Sequence, residues 1–236
     1  MKLGKDRIIL ALDNMTTDES LEMANKLAGK PGLWGAKVNN LLDVNGVGIV
    51  ERLIQIDGIK NVMSDPKIGD TGNTMKNRSS VYVEAKSTFV TIHAIAGPEA
   101  MAEVVEVCKG TNTIPVAVTL LTSITKQRCI ELFRRKPQNV VKLLAQWAAD
   151  VGFEWVVCSA KELNIISGLS LHKIVAGTRP IWYQKLGGQA GDRSVTPEVA
   201  MKEGADLLVG GRAITTAENP AEALMKFDNE IQNALA

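Results

Sequence analysis

Three observations predict an α/β chain folded as a closed (β/α)8 barrel, the TIM-barrel architecture, in a single domain spanning 1–236. Short apolar runs alternate with amphipathic stretches of helical period, at roughly 30 residues per unit, and there are eight of them. Most are nearly continuous in Val, Ile, Leu and Ala, as strands buried on both faces of a parallel sheet read. Six of the eight finish on a charged or hydrogen-bonding residue, at the end where barrels of this kind place their chemistry. An open doubly wound sheet is the runner-up. No Gly-x-Gly-x-x-Gly follows the first run, which disfavours its dinucleotide-binding form.

The strand-like runs cover residues 7–13, 34–39, 61–67, 89–94, 115–121, 155–160, 172–178 and 207–211. Helices fill the gaps. Thr16-Thr17-Asp18-Glu19 fits a capping box, Leu21, Ala24, Leu27 and Ala28 form one stripe, and Gly29 can end the helix. Pro98 suits a first helical position, with Met101, Val104, Val105 and Cys108 following at helical spacing before Gly110. The stretch 140–152 repeats the pattern through Leu144, Trp147, Ala148 and Val151. Thr196-Pro197 and Asn219-Pro220 are cap-plus-proline starts for two late helices.

Charge narrows the function. The chain has 27 Lys+Arg against 26 Asp+Glu, interspersed in sign, so no basic surface for nucleic acid is indicated. No apolar window approaches the roughly 18 residues of a membrane span, and the run near the start is too short for a secretory signal. A soluble, cytoplasmic protein is expected. Cys108, Cys129 and Cys158 are odd in number and far apart, and the only histidines are His93 and His172, so neither a disulfide framework nor a metal site is indicated.

Polar residues gather at the strand ends. They are Asp13 after the first run, Lys37 in the second, Asp65 and Lys67 in the third, with Asp70 just beyond, His93 in the fourth, Leu121-Thr122-Ser123 in the fifth and Gly210-Gly211-Arg212 in the eighth. Asp65 and Lys67 are two apart, so a regular strand would put both on one face with Pro66 on the other. Asp70 and Thr74 are four apart and would share one face of a helix starting there. So many charges at one mouth require alternation and pairing. The loop after the seventh run is long, from Gly177-Thr178-Arg179-Pro180 to Gly187-Gly188-Gln189-Ala190-Gly191-Asp192-Arg193. With Arg212 beside Gly211, it suits a phosphate group.

Asp65-x-Lys67-x-x-Asp70-x-x-x-Thr74 resembles the signature of the orotidine 5′-phosphate decarboxylase family. Ala11-Leu12-Asp13, Lys37-Val38, Ile92-His93-Ala94, the segment from Val118 to Ser123, and Gly210-x-Arg212-x-Ile214-Thr215 follow in the family's order, so the resemblance runs over most of the chain. Phosphosugar lyases of the ketogulonate-phosphate decarboxylase and hexulose-phosphate synthase type share Asp-x-Lys-x-x-Asp. They resemble one another in a second-strand Glu that helps to hold Mg²⁺. Here that position is Lys37, which would repel a cation.

The resemblance implies loss of CO₂ from orotidine monophosphate to give UMP, without metal or cofactor. It implies Lys67 as proton donor in an alternating Lys37–Asp65–Lys67–Asp70 network, and Asp13 and Lys37 holding the ribose. Ser123, with Thr122, would bind the pyrimidine, and Gln189, Gly211 and Arg212 the phosphate. It also implies a homodimer in which Asp70 and Thr74 reach into the neighbour's site. The sequence departs from the family where Asn39-Asn40 follows Val38, where Thr71-Gly72 follows Asp70, and around Gln189. Pro66 within the signature has no explanation at the level of sequence.

Overall fold

The computed structural model describes residues 3–121, 123–183 and 195–236. Eight parallel strands close into a barrel in sequence order. They are β1 (Ile8–Ala11), β2 (Leu33–Val38), β3 (Val62–Ile68), β4 (Phe89–His93), β5 (Ile114–Val118), β6 (Trp155–Cys158), β7 (His172–Val175) and β8 (Leu207–Gly210). Hydrogen bonding of β8 to β1 completes the circle. Helices α1 (Thr17–Leu27), α2 (Asn40–Asn45), α3 (Gly48–Ile54), α4 (Gly72–Glu84), α5 (Pro98–Cys108), α6 (Lys126–Phe133), α7 (Pro137–Asp150), α8 (Pro197–Lys202), α9 (Arg212–Thr215) and α10 (Pro220–Leu235) lie between and after them.

The local rules read from sequence operate as expected. Thr16 and Glu19 form the reciprocal capping box of α1: Thr16 Oγ1 accepts from the Glu19 N–H at 3.3 Å, and the Thr16 N–H donates to Glu19 Oε2 at 2.8 Å. Pro98 opens α5, and Thr196-Pro197 and Asn219-Pro220 start α8 and α10 with side-chain caps. Helix α7 begins at Pro137, three residues before its apolar stripe, because a proline at the first position needs no N–H partner. Several strands stop short of the apolar runs. The run at 115–121 holds a strand only to Val118, although Thr119 and Leu120 beyond it stay buried.

The strands bury both faces. Ile8 and Leu10 point outward into the layer beneath the helices, whereas Ile9 points inward. Ile9, Trp34, Met63, Phe89, Val116, Trp155, Ile174 and Leu207, one from each strand, fill the lower barrel. The Trp34 and Phe89 rings stack at 4.8 Å, and Phe89 lies 4.9 Å from Trp155.

Two irregularities carry the chain from this floor to the mouth. Ile8 pairs with Leu33 but Ile9 with Gly35, so Trp34 is an extra residue on β2. The bulge lets Trp34 and Lys37, three positions apart, both face the interior. Gly35 is required beside it, because a Cβ there would overlap the Asn61 carbonyl. On β3, Ser64 pairs with Val90 and Ile68 with Ile92, so four steps on β3 answer two on β4. Asp65-Pro66-Lys67 bulges out of the ladder, opposite Thr91.

Candidate active site

The β3 bulge explains Pro66. A proline removes a ladder donor, and here the ladder is already interrupted. Lys67 follows with φ of +47°, the left-handed region that a lysine enters at a cost of about 1–3 kcal/mol. The expectation of a regular strand, with Asp65 and Lys67 projecting side by side, is therefore corrected: the two meet across a bulge. Thr91 closes it. Its Oγ1 accepts from the Lys67 N–H at 2.9 Å and donates to Asp65 Oδ1 at 2.8 Å. On the other side, Asn39 Nδ2 donates to the Asp65 carbonyl at 2.6 Å.

The charges alternate, in a different order from that read in sequence. Lys37 Nζ lies 2.9 and 2.8 Å from the two Asp13 oxygens and 3.4 Å from Asp65 Oδ2. Lys67 Nζ lies 2.7 Å from the same Asp65 oxygen. The network within the chain is thus Asp13–Lys37–Asp65–Lys67. Asp65 and Lys37 are buried, at 6 % and 7 % exposure, so their charges must be compensated by each other and by hydrogen bonds. Lys67 is partly open at the mouth.

Asp70 does not extend this chain. It is exposed, its Oδ1 accepting from the N–H of Thr71 at 2.7 Å, and it lies two residues before α4 begins, ahead of the Thr71 N-cap, so it does not share a helix face with Thr74 as the spacing suggests. Thr74 lies in the first turn of α4, and its Oγ1 is 3.2 Å from Thr71 Oγ1. Within one chain, then, the expected link from Lys67 to Asp70 is replaced at the other end by Asp13.

A pocket of about 360 Å³ opens beside the network, lined among others by Asp13, Ser159, Arg179, Tyr183, Gly211 and Arg212. Gly211 and Arg212, expected at a phosphate, therefore lie at the same cavity as the first member of the charged chain. Arg179 is not among the site residues expected from sequence; its place directly after Gly177-Thr178, four residues beyond the end of β7, is the available signal. Ser123 is exposed in the turn beyond β5. Thr122 and Gln189 lie outside the described residues.

His93 ends β4, and its Nδ1 is buried without a hydrogen-bond partner among the described residues. Burial, and secondarily the charge of Lys67, lower its pKa below the ordinary histidine value. Burial pushes the Cys108 thiol up to about 11 and raises Cys158 further still, so these two thiols are poor nucleophiles. Among the described residues, no group of three or more His, Cys, Asp or Glu is arranged to hold a metal ion, and no helix is long and apolar enough to cross a membrane.

Comparisons with known proteins fit this geometry. A protein named orotidine 5′-phosphate decarboxylase from Syntrophomonas wolfei is 32 % identical over 97 % of this chain and 99 % of its own length. One of the same name from Nitrosomonas eutropha is 32 % identical over 99 % of this chain and all of its own. The crystal structure of orotidine 5′-phosphate decarboxylase from Lactobacillus acidophilus superposes with a TM-score of 0.80 at 26 % identity, covering 96 % of this chain and 99 % of that one. With residues 6–227 matching the family model as well, the chain is a member of the orotidine 5′-phosphate decarboxylase / HUMPS family.

Proposed function

We propose that this protein decarboxylates orotidine 5′-monophosphate to UMP and CO₂, with no metal and no cofactor. The observation that carries the reading is Lys37. Its ammonium lies between the carboxylates of Asp13 and Asp65, in the second-strand position where the phosphosugar enzymes resemble one another in a Mg²⁺-binding Glu. Two carboxylates bridged by ammonium groups form a poor cation site.

The mechanism follows from what the reaction lacks. Breaking the C6–carboxylate bond leaves an electron pair in the ring plane, where the ring π system cannot take it up. Stabilisation must come from a fixed positive charge near C6, held in place before the reaction begins. Lys67 supplies it, with Asp65 fixing its ammonium at 2.7 Å. As CO₂ departs, an N–H proton of Lys67 passes to C6, and the resulting neutral amine regains a proton from solvent. Asp65 also stands near the departing carboxylate, whose negative charge is lost as CO₂ forms.

Asp13 and Lys37 hold the ribose hydroxyls, and Ser123 with Thr122 the pyrimidine. Arg212, beside Gly211, holds the phosphate together with Gln189. Arg179, on the same pocket, adds a second guanidinium. Phosphate binding far from C6 helps to align the reacting carbon. The active unit is a cytoplasmic homodimer, in which exposed Asp70 and neighbouring Thr74 complete the partner's mouth and place a second carboxylate near Lys67.

The test is the ultraviolet absorbance of orotidine monophosphate on adding protein in the presence of EDTA. Loss of the orotate band supports the proposal. An unchanged band, with Mg²⁺-dependent activity on a ketose phosphate, would overturn it in favour of the phosphosugar reading.

A further inference from the structure

We propose that Thr91 and Asn39 are positioning residues, which hold the Asp65-Pro66-Lys67 bulge from its two sides and so aim the Lys67 ammonium. The proposal rests on the function proposed above for its kinetic consequences but not for its structural ones. A bulge that leaves the ladder loses the backbone bonds that fix a strand. Pro66 can donate none, and Lys67 stands in a backbone conformation that lysine does not favour. Something else must hold the segment.

Thr91 occupies the gap on the β4 side. It is fully buried, and its single hydroxyl does two things: it accepts the Lys67 N–H, and it donates to the Asp65 oxygen that does not face the lysines. The Lys67 main chain and the Asp65 side chain are thereby fixed through one atom, which sets the 2.7 Å contact between the two charges. Asn39 holds the other side, donating to the carbonyl that precedes Pro66. It has one extended-chain neighbour in β2, Val38, and begins the turn into α2, so the same residue that leaves the barrel wall also anchors the mouth.

The test compares Thr91→Val, Thr91→Ser and Asn39→Ala. Kinetics on orotidine monophosphate are read together with UMP affinity and with hydrogen exchange of the Lys67 amide by NMR. Thr91→Val should lower kcat by about a hundredfold, the effect of a misplacement near 1 Å, with UMP affinity within about twofold. The Lys67 amide should lose protection. Thr91→Ser keeps the hydroxyl and should restore both readouts. Asn39→Ala, at a partly exposed site, should lower kcat by about tenfold and speed the same exchange even if Thr91→Val fails to fold.

A wild-type chain without turnover would remove the proposed function, while amide exchange would still judge the clamp. Unchanged kcat and unchanged Lys67 protection in Asn39→Ala and in folded Thr91→Val would overturn the inference. So would an equal loss in Thr91→Ser and Thr91→Val.

Discussion

The floor and the mouth of this barrel are built by the same strands and obey opposite rules. At the floor, Trp34, Met63, Phe89 and Trp155 interdigitate with inward residues from the other strands, and their polar demands are few. Two residues further along β3 and β4, Met63 gives way to Asp65 and Phe89 to Thr91. There, buried charge is held by partners at fixed distances, and a lysine backbone is strained. The difference teaches where the stability of the fold and the chemistry of the site reside. The floor gains free energy by removing apolar area from water, and it tolerates no gap. The mouth loses free energy in desolvation and strain, and persists because the rest of the barrel over-determines it.

Substitutions at the two levels should separate these roles. The largest stability effect belongs to the floor. Trp155→Ala removes a fully buried ring in contact with Phe89 and should cost about 3–5 kcal/mol. A scan of thermal unfolding should show Tm lower by roughly 10 °C, while KM measured well below that temperature stays close to wild type. A large change in KM without a change in Tm would contradict the division. Arg212→Ala should do the reverse. Loss of a charge-assisted phosphate contact predicts KM raised about tenfold to a hundredfold, with Tm nearly unchanged.

His93, at the end of β4 two residues beyond Thr91, should give the smallest effect. Its folded pKa is lowered, so below pH 6.5 the unfolded chain takes up a proton before the folded one does. Its contribution to stability is therefore complete above pH 6.5 and declines as the pH falls through the window beneath it. Replacement by Asn should flatten the rise of Tm with pH across that window, and an unaltered slope would show that His93 is not its source.

The barrel was legible because burial on both strand faces leaves continuous apolar runs, and because caps and prolines mark where most helices begin. The charged residues were legible as strand-end exceptions to that apolarity. Their geometry was less so. A lysine at positive φ leaves no mark of its own, and Pro66 was the visible trace of the bulge that produces it. The extra residue at Trp34, which reverses the inside–outside parity of β2, is likewise hidden, because the residues around it from Leu33 to Ala36 offer no polar group to mark a face. Helices α2 and α3 have no side-chain hydrogen bond at their N-caps: Val47 has no capping group, and Asn39, a favoured cap type, does not use its side chain as one. Asn39 instead serves the mouth, a use for which the residue type alone gives no indication.

The central claim is that chemistry at the mouth depends on one ammonium held against Asp65. Lys67→Ala tests it most directly, by turnover of orotidine monophosphate measured beside UMP binding and thermal unfolding. The account predicts a folded protein that binds UMP and has lost decarboxylation. Near-wild-type turnover in that variant would contradict it.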